Sequence, residues 1–271
     1  MMKQRKMPKK TTTPATLREC CLNHFATLRI PLAAEEFDAV LLRAEKEALS
    51  PLTFLDLVLG EQADRRRERS VERRIHEAQF AERKTLETFD WKFNQKAIDR
   101  QQIEQLATGE FIQRRSNLIM IGQSGVGKSH LTQGIGIKAC ALGYRVLYRT
   151  SAQLISDLTA SLADKSLPGR LRFYARPDLL IIDEWAFDRI ERLDCPNAAH
   201  LLYKLIDSRN RTGCTAVLSN VDVKLWGDYL ADGPLAMAFV DRLVDGAVKI
   251  TINGLSYRAH RNRNGERTTT P

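Results

Sequence analysis

A glycine-rich loop near the middle of the chain is the feature that most constrains how it can fold. Residues 121–130 read IGQSGVGKSH and fit the spacing G-x-x-x-x-G-K-[ST] at Gly122, Gly127, Lys128 and Ser129. The apolar run NLIMIG before the loop predicts a strand, and KSHLTQGIGIKACALG after it predicts a helix. A strand, a glycine loop and a helix in this order are typical of a phosphate-binding loop. The sequence therefore predicts a site for a nucleoside triphosphate.

Each part of this loop has an expected role in holding phosphate. Glycines allow the backbone N–H groups to curve around the β-phosphate, and the start of the following helix adds positive potential. Lys128 is expected to reach the β- and γ-phosphates, and the Ser129 hydroxyl to bind Mg²⁺. We therefore predict that ATP and Mg²⁺ are the cofactors, and that the nucleotide contacts the whole loop: Gly122, Gln123, Ser124, Gly125, Val126, Gly127, Lys128, Ser129 and His130.

The second half of the chain alternates between helical segments and short apolar runs. Five of these runs predict strands: NLIMIG, YRVLYR, DLLIID, CTAVLSN and AVKITI. Strands separated by helices indicate a parallel sheet with helices on both faces. The expected fold class is therefore α/β, with a five-stranded parallel sheet.

An acidic pair ends the third of these strands, in the run LLIIDE. Asp183 can hold the Mg²⁺ shell, as the aspartate of a Walker B motif does, and Glu184 can polarise the attacking water as a general base. An acidic pair at a strand end can also be a helix cap or part of a loop ion pair. The phosphate-binding loop elsewhere in the chain favours the catalytic interpretation.

Two further polar residues are candidates for hydrolysis. Asn220 ends the fourth strand, which we expect to lie beside the first strand, so its amide could position water at the γ-phosphate; the alternative is an ordinary turn residue. Arg242 lies near the end of the last long helix and could reach the γ-phosphate of a neighbouring subunit. Four other arginines could do the same: Arg189, Arg192, Arg209 and Arg211.

The charge of the chain suggests what it binds. The formal net charge is +9 and the sequence pI is about 9.4, which favours a polyanion such as nucleic acid or an acidic membrane surface. The five cysteines are scattered without a C-x-x-C motif, so we expect neither a disulfide framework nor a zinc site. No apolar run is long enough to span a membrane and no signal peptide is recognisable, so the expected location is the cytoplasm.

Composition divides the chain into four segments. Residues 1–16 and 259–271 are expected to be disordered tails, 17–83 a helical domain for DNA binding or oligomerisation, and 84–258 the ATPase domain. Within the helical block, Ser50-Pro51 predicts the start of a helix. An aromatic linker opens the ATPase domain, and its rings either pack against that domain or stack on a bound base: Phe89, Trp91 and Phe93.

An arginine-rich run, ADRRRERSVERR, lies in the helical block. In one interpretation it is a solvated face neutralised by Glu68 and Glu72. In the other it is a stripe that contacts nucleic-acid phosphates, because guanidinium groups match phosphate oxygens and six arginines outnumber the two glutamates. The second is favoured, and the candidate DNA-binding residues are Arg65, Arg66, Arg69, Arg73 and Arg74.

The motifs in order resemble one family. The stretch from Phe111 to Arg258, with NLIMIGQSGVGKSHL, LLIIDEW, VLSN and VDRLVDGAVKITINGLSYR, resembles the IstB-like ATP-binding proteins, and the likeness extends forward to about Leu17. These are AAA+ helper ATPases encoded beside the transposases of bacterial insertion sequences and related to the DnaC helicase loader and the initiator DnaA. The resemblance implies an oligomer on double-stranded DNA that marks or bends the target and recruits or stimulates the transposase.

The resemblance also implies roles for residues. The Gly122–Ser129 loop corresponds to Walker A, Asp183 and Glu184 to Walker B, Asn220 to sensor I and Arg242 to the arginine finger. The chain has DEWAF where the family more often has an Asp-Glu-Leu-Gly run, and it has Ser129 where threonine is commoner. The first departure keeps both carboxylates and the second keeps the hydroxyl. Only 19 residues follow Ile252, so we expect no helical lid, although Arg258 could supply part of a sensor II role.

Three other functions are weaker alternatives. A DnaC-type loader of a replicative helicase would share most of these motifs. A stand-alone metabolic P-loop enzyme, such as a small-molecule kinase, would leave the basic helical block unexplained, and no acceptor-binding lid is recognisable. A GTPase is disfavoured because the sequence lacks N-K-x-D.

Overall fold

The computed structural model describes residues 14–186, 197–230 and 233–263. The chain divides into two compact units, Met1–Ser70 and Val71–Pro271, and the division falls within one long helix. The predicted domain limits at residues 16, 83 and 258 therefore stay predictions.

Helices make up the described part of the first unit. They are α1 (Pro14–Thr27), α2 (Ala34–Lys46) and the first part of α3 (Pro51–Ala78). The Ser50 hydroxyl accepts a hydrogen bond from the Thr53 N–H at 3.2 Å, which caps α3 where the Ser-Pro pair predicts a helix start. Residues 14–16 lie in α1 rather than in the disordered tail that the composition predicts.

A small apolar centre and two ion pairs hold these helices. Phe37 and Val58 are buried, and the Phe25 ring packs edge-on against Phe37 with the centroids 5.4 Å apart. Arg18 binds both carboxylate oxygens of Asp38 at 2.6 Å. Arg65 on α3 reaches Glu36 on α2 at 3.2 Å.

The second unit contains the rest of α3, a 3₁₀ turn at Leu86–Thr88, and the sheet with its helices. The strands are β1 (Leu118–Gly122), β2 (Val146–Thr150), β3 (Leu179–Trp185), β4 (Cys214–Ser219) and β5 (Val248–Ile252). The helices are α4 (Arg100–Ala107), α5 (Glu110–Gln113), α6 (Lys128–Ala141), α7 (Ser151–Ala163), α8 (Leu167–Ala175), α9 (Ala198–Arg209), α10 (Trp226–Leu230), α11 (Gly233–Val244) and α12 (Tyr257–Arg263).

The helical segment before β1 is divided into two helices, because Gly109 adopts a left-handed φ of 78° between α4 and α5. Helix α12 occupies residues 259–263, where a disordered tail is predicted, and it is the one helix after β5 in the described chain.

The five strands form one parallel sheet in the order β2-β3-β4-β1-β5. This confirms the predicted fold class. β1 pairs with β4, with Leu118 opposite Ala216, so the fourth strand does lie beside the first. The carboxyl ends of β1, β3 and β4 therefore meet at one edge, where the phosphate-binding loop leaves β1.

Each face of the sheet carries its own apolar layer. One face packs against α6 and α4 and includes Met120 and Ile181 of the strands with Ile135 of α6. The other packs against α7, α9 and α11 and includes Ile119, Ile182 and Leu205. All residues of β1 are buried because both faces are covered. No helix in the described residues is long and apolar enough to cross a membrane.

A bulge changes the alternation of side chains at the end of β3. Ile182 pairs with Val217 and Trp185 with Ser219, so three steps along β3 correspond to two along β4. Glu184 has a left-handed φ of 57°. Asp183 and Glu184 consequently both reach the carboxyl edge, whereas Trp185 is fully buried on the α11 face, stacked on Phe239 with the centroids 4.9 Å apart. The DEWAF sequence thus supplies both the acidic pair and a core residue.

Candidate functional site

A cavity of about 590 Å³ opens at the carboxyl edge of the sheet. It brings together most of the residues predicted for the site: Ser124, Gly125, Val126, Gly127, Lys128, Ser129, His130, Asp183, Glu184, Asn220 and Arg258. Gly122, Gln123 and Arg242 do not line the cavity, although the carbonyl oxygens of Gly122 and Gln123 accept hydrogen bonds from Lys128 Nζ.

The phosphate-binding loop has the backbone shape that its glycines predict. Gly125 and Gly127 adopt left-handed φ values of 82° and 106°, and α6 begins directly afterwards at Lys128. The free N–H groups at the start of α6 therefore belong to the loop that lines the cavity, which is the arrangement that binds phosphate.

Neighbouring segments press closely on two of the glycines. A Cβ at Gly127 would lie 2.8 Å from the Phe89 ring, and a Cβ at Gly122 would lie 2.6 Å from the carbonyl oxygen of Ile252. Larger residues at these positions would displace the aromatic linker or strand β5. The loop is thus shaped both by its own backbone and by what packs against it.

Lys128 is nearly buried and makes three hydrogen bonds. Its Nζ donates to the carbonyl oxygens of Gly122 at 2.7 Å and Gln123 at 3.0 Å, and to Asn220 Oδ1 at 2.7 Å. Burial lowers the pKa of Lys128 to about 8, against the opposing effect of the negative Asp183. Asn220 therefore reaches the cavity, next to the group that is expected to bind the terminal phosphates.

Asp183 is 4% exposed and accepts one hydrogen bond on each carboxylate oxygen. The Tyr148 hydroxyl donates to Oδ2 at 2.7 Å, and the Glu184 N–H donates to Oδ1 at 2.7 Å. Burial and the nearby carboxylate raise the pKa of Tyr148, so its hydroxyl stays protonated and remains a donor. The sequence pattern does not identify Tyr148, since a tyrosine within a strand reads as an ordinary core residue.

The residues present fit a magnesium ion. The Ser129 hydroxyl and the Asp183 carboxylate line the same cavity and are hard oxygen donors, which Mg²⁺ prefers. Each carboxylate oxygen keeps a lone pair after its hydrogen bond. No group of three or more His, Cys, Asp or Glu suited to a metal ion occurs in the described residues, and Mg²⁺ with nucleotide needs only one or two protein ligands.

Glu184 is exposed to the cavity, and its backbone is fixed. Its carbonyl oxygen accepts a hydrogen bond from the Ser151 hydroxyl at 2.9 Å. The left-handed backbone is unusual for glutamate, and such conformations cluster at functional sites. A carboxylate beside Asp183, open to solvent, can accept a proton from water.

The aromatic linker forms one wall of the cavity. His130 Nε2 donates to the Thr85 carbonyl oxygen at 2.9 Å, and its ring packs edge-on against Phe89 with the centroids 5.1 Å apart. Burial lowers the pKa of His130, which favours the neutral imidazole. Trp91 packs against the core and donates to the Leu86 carbonyl oxygen at 3.2 Å.

The chain after β5 forms the adjoining wall. Asn94 Nδ2 donates to the Leu255 carbonyl oxygen and its Oδ1 accepts from the Leu255 N–H, both at 2.8 Å. The Tyr257 N–H donates to the Gly125 carbonyl oxygen at 2.9 Å. Phe93 packs against Tyr257, with the centroids 5.1 Å apart. Elsewhere in the cavity and in this wall, several lining residues belong to no sequence motif that would identify them: Glu82, Lys84, Thr88, Asp90, Asn94, Leu218 and Tyr257.

Arg242 is held away from the cavity by contacts within its own chain. Its Nε binds Asp207 at 2.7 Å, and its guanidinium lies over the Tyr203 ring at 4.8 Å from the centroid. Among the alternative arginines, Arg209 is 1% exposed and donates to the carbonyl oxygens of Tyr174 and Pro177, so it cannot reach a neighbour. Arg211 is exposed, and Arg189 and Arg192 lie outside the described residues.

The candidate DNA-binding arginines of α3 differ in their contacts. Arg65 pairs with Glu36 and Glu61, Arg73 lies 3.9 Å from Glu77, and Arg74 donates to the Cys140 carbonyl oxygen at 3.4 Å. Arg66 and Arg69 are exposed and make no ion pair with any described residue. Of the two glutamates expected to neutralise the run, Glu72 pairs with Arg83 instead.

The parallel sheet, the phosphate-binding loop and the acidic pair at the end of β3 define the class: a P-loop ATP-binding protein with the AAA+ fold. The family described as IstB-like ATP binding protein matches residues 23–265, and the chain belongs to that family.

Two curated relatives cover most of the chain. One, from Geobacillus stearothermophilus, is named as an ATP-binding protein of insertion sequence IS5376; it is 32% identical over 236 residues, which is 87% of this chain and 92% of the relative. Another, from Pseudomonas aeruginosa, bears the corresponding name for IS21 and is 32% identical over 237 residues, covering 86% of this chain and 88% of the relative.

Solved structures share the fold at low identity. DnaI has a TM-score of 0.52 and 18% identity, covering 63% of this chain and 92% of that chain. The replication initiator DnaA bound to AMPPCP and single-stranded DNA has a TM-score of 0.51 and 16% identity, covering 70% of this chain and 58% of that DnaA chain. The likeness at these identities concerns the fold alone.

The contact between Phe89 and Gly127 gives a test of the loop. We expect Gly127→Ala to weaken binding of a fluorescent ATP analogue about 10-fold or more, equivalent to about 1.4 kcal/mol, because the added Cβ meets the ring. Gly143→Ala is the matched control, since Gly143 has a similar φ of 102° with nothing within 4 Å of an added Cβ. Both variants should lose stability in thermal melting, but only the first should lose nucleotide; equal binding by the two would contradict this account.

Proposed function

We propose that this protein is an Mg²⁺-dependent ATPase that assembles on duplex DNA and assists transposition. One observation carries the proposal: Lys128, Asp183, Glu184 and Asn220 converge on one cavity beside a phosphate-binding loop. The family membership and the insertion-sequence relatives support it. Within this proposal, ATP binding drives assembly, and hydrolysis ends it.

The proposed chemistry assigns one task to each residue. Lys128 binds the β- and γ-phosphates, and Ser129 and Asp183 hold Mg²⁺, which neutralises charge on the phosphates when bound. Glu184 accepts a proton from the attacking water, and the Asn220 amide orients that water. The hydrogen bond from Lys128 Nζ to Asn220 Oδ1 supports these assignments, because it brings the Asn220 amide beside the ammonium group proposed to bind phosphate.

Two substitutions separate binding from hydrolysis. We expect Lys128→Ala to weaken ATP binding about 10- to 100-fold through the loss of charged hydrogen bonds. Glu184→Gln should retain ATP but lower the hydrolysis rate about 100-fold or more, because a general base is lost. Glu45→Gln, on the exposed surface of α2, is the control. The measurements are ATPase rate and assembly size, each with and without duplex DNA.

The outcomes distinguish the functions. Under the proposal, DNA and ATP together enlarge the assembly, and Glu184→Gln keeps it large. Hydrolysis by Glu184→Gln at the wild-type rate would refute the assignment of the base. An ATPase rate and assembly size indifferent to DNA would instead favour a metabolic P-loop enzyme.

Arg242 is proposed to act on the nucleotide of a neighbouring subunit. The supporting observations are its position on α11, outside the cavity of its own chain, and a side chain that is still 27% exposed. Its ion pair with Asp207 would have to break for the guanidinium to reach the neighbour. The burial of Arg209 removes one of the competing candidates.

Mixing inactive variants tests action between subunits. Arg242→Ala and Lys128→Ala should each be inactive alone, but their mixture should recover ATPase activity, because a Lys128→Ala subunit still supplies Arg242 to its neighbour. A mixture of Lys128→Ala and Glu184→Gln should stay inactive, since each subunit damages its own site. Failure of the first mixture to recover, with assembly retained, would contradict action in trans.

Arg66 and Arg69 are the proposed phosphate contacts in the first unit. Both are exposed, free of ion pairs within the described residues, and three positions apart on α3, so they face the same side. Arg65 has two acidic neighbours on its own chain and is a weaker candidate. Arg73 and Arg74 remain proposed contacts in the second unit.

Salt dependence tests these two arginines. We expect the double variant Arg66→Ala/Arg69→Ala to bind duplex DNA more weakly and to reduce the slope of log K against log salt by about 2, since each phosphate contact contributes about 0.9. Arg43→Ala/Arg67→Ala removes the same charge from arginines that pair with Glu47 and Asp64, so it should change the slope less. Equal slopes for both double variants would argue against a specific contact.

The proposed protein partner is the transposase of the same element. The named relatives belong to insertion sequences, which supports this choice over a replicative helicase. Recruitment or stimulation of that transposase on marked or bent DNA completes the proposed function.

A further inference from the structure

One buried tyrosine contacts the proposed metal-binding carboxylate without lining the cavity. Tyr148 is 5% exposed, and its hydroxyl lies 2.7 Å from Asp183 Oδ2. The parallel register pairs Tyr148 with Ile181, two residues before Asp183, so the tyrosine and the aspartate lie diagonally on the same face of the sheet. The contact therefore follows from the strand pairing.

The hydroxyl completes a two-point support of the carboxylate. The Glu184 N–H holds Oδ1 at 2.7 Å and Tyr148 holds Oδ2. Rotation of an aspartate carboxylate about χ2 is otherwise soft, because this torsion has broad minima. With one donor on each oxygen, the plane of the group is fixed, and the remaining lone pairs have defined directions.

We infer that Tyr148 is a positioning residue that orients Asp183 toward a Mg²⁺ ion carried with the nucleotide; this inference rests on the proposed ATPase function. A ligand that is oriented before the ion arrives binds more tightly than one that must be ordered on binding. Tyr148 itself touches neither nucleotide nor metal in this role. It acts through the carboxylate alone.

The chain offers a matched control for this contact. Tyr174 is also a buried tyrosine that donates to a carboxylate, Asp157, at 2.6 Å. Burial and that carboxylate raise the pKa of Tyr174 to about 12, so it too stays protonated. Tyr174 belongs to the apolar layer on the other face of the sheet and does not line the cavity. Removing its hydroxyl has a similar structural cost without touching the site.

The test is Mg²⁺ titration of nucleotide binding by the full chain. A fluorescent ATP analogue is bound to wild type, Tyr148→Phe and Tyr174→Phe at increasing Mg²⁺. We expect the Mg²⁺ concentration at half-maximal binding to rise about 10-fold or more for Tyr148→Phe, the order expected when the hydrogen-bond partner of a metal ligand is removed. Tyr174→Phe should match wild type, and binding of the analogue in EDTA should be the same for all three.

Two comparisons identify the route of the effect. Adding Tyr148→Phe to Asp183→Asn should cause no further change in Mg²⁺ dependence if the tyrosine acts through that carboxylate. Thermal melting of each variant shows whether it is folded at the temperature of the titration. If Tyr148→Phe melts early, Asp183→Asn is compared with the double variant Asp183→Asn/Tyr148→Phe, and the two should have the same Mg²⁺ dependence.

Three results would overturn the inference. They are an unchanged Mg²⁺ requirement in Tyr148→Phe, an equal rise in Tyr174→Phe, and a loss of binding in EDTA, which would indicate a change of cavity shape. Wild-type protein that showed no Mg²⁺-dependent nucleotide binding would contradict the proposed function itself and the inference with it.

Discussion

The site depends on one backbone irregularity, the bulge at the end of β3. In a regular strand, consecutive side chains face opposite sides of the sheet, so Asp183 and Glu184 would point to opposite faces. The left-handed Glu184 and the shifted pairing of Trp185 with Ser219 bring both carboxylates to the same edge. The cost of this conformation, of order 1–3 kcal/mol, is offset by the burial of Trp185 among Trp226, Tyr229 and Phe239.

The phosphate-binding loop is held in shape by segments far away in the sequence. Phe89 packs on Gly127, the Tyr257 N–H binds the Gly125 carbonyl, and Ile252 approaches Gly122. Lys128 Nζ is held by hydrogen bonds to two loop carbonyl oxygens and to Asn220 Oδ1, all within the chain itself. A loop ordered in this way loses little conformational entropy when it binds a ligand, which favours affinity.

Much of this arrangement could be predicted from the sequence, and the limits have physical reasons. The loop, the five parallel strands and the adjacency of β1 and β4 follow from local patterns and from the rules of parallel sheets. Tyr148 and Asn94 could not be found, because their roles depend on strand register and on pairing across the fold. The left-handed backbone of Glu184 could not be predicted either. The same holds for the burial of Arg209, because its guanidinium donates to carbonyl groups from another part of the chain.

The pair of hydrogen bonds between Asn94 and Leu255 joins residues 161 positions apart. During synthesis, the ribosome releases every strand of the sheet before it releases this wall of the cavity. A nascent chain that has emerged as far as Ile252 can complete its parallel sheet while the wall formed by the chain after β5, which contacts Gly125, is still missing. The cavity therefore receives the last part of its lining, Tyr257 and Arg258, only after every strand of the sheet has been synthesised.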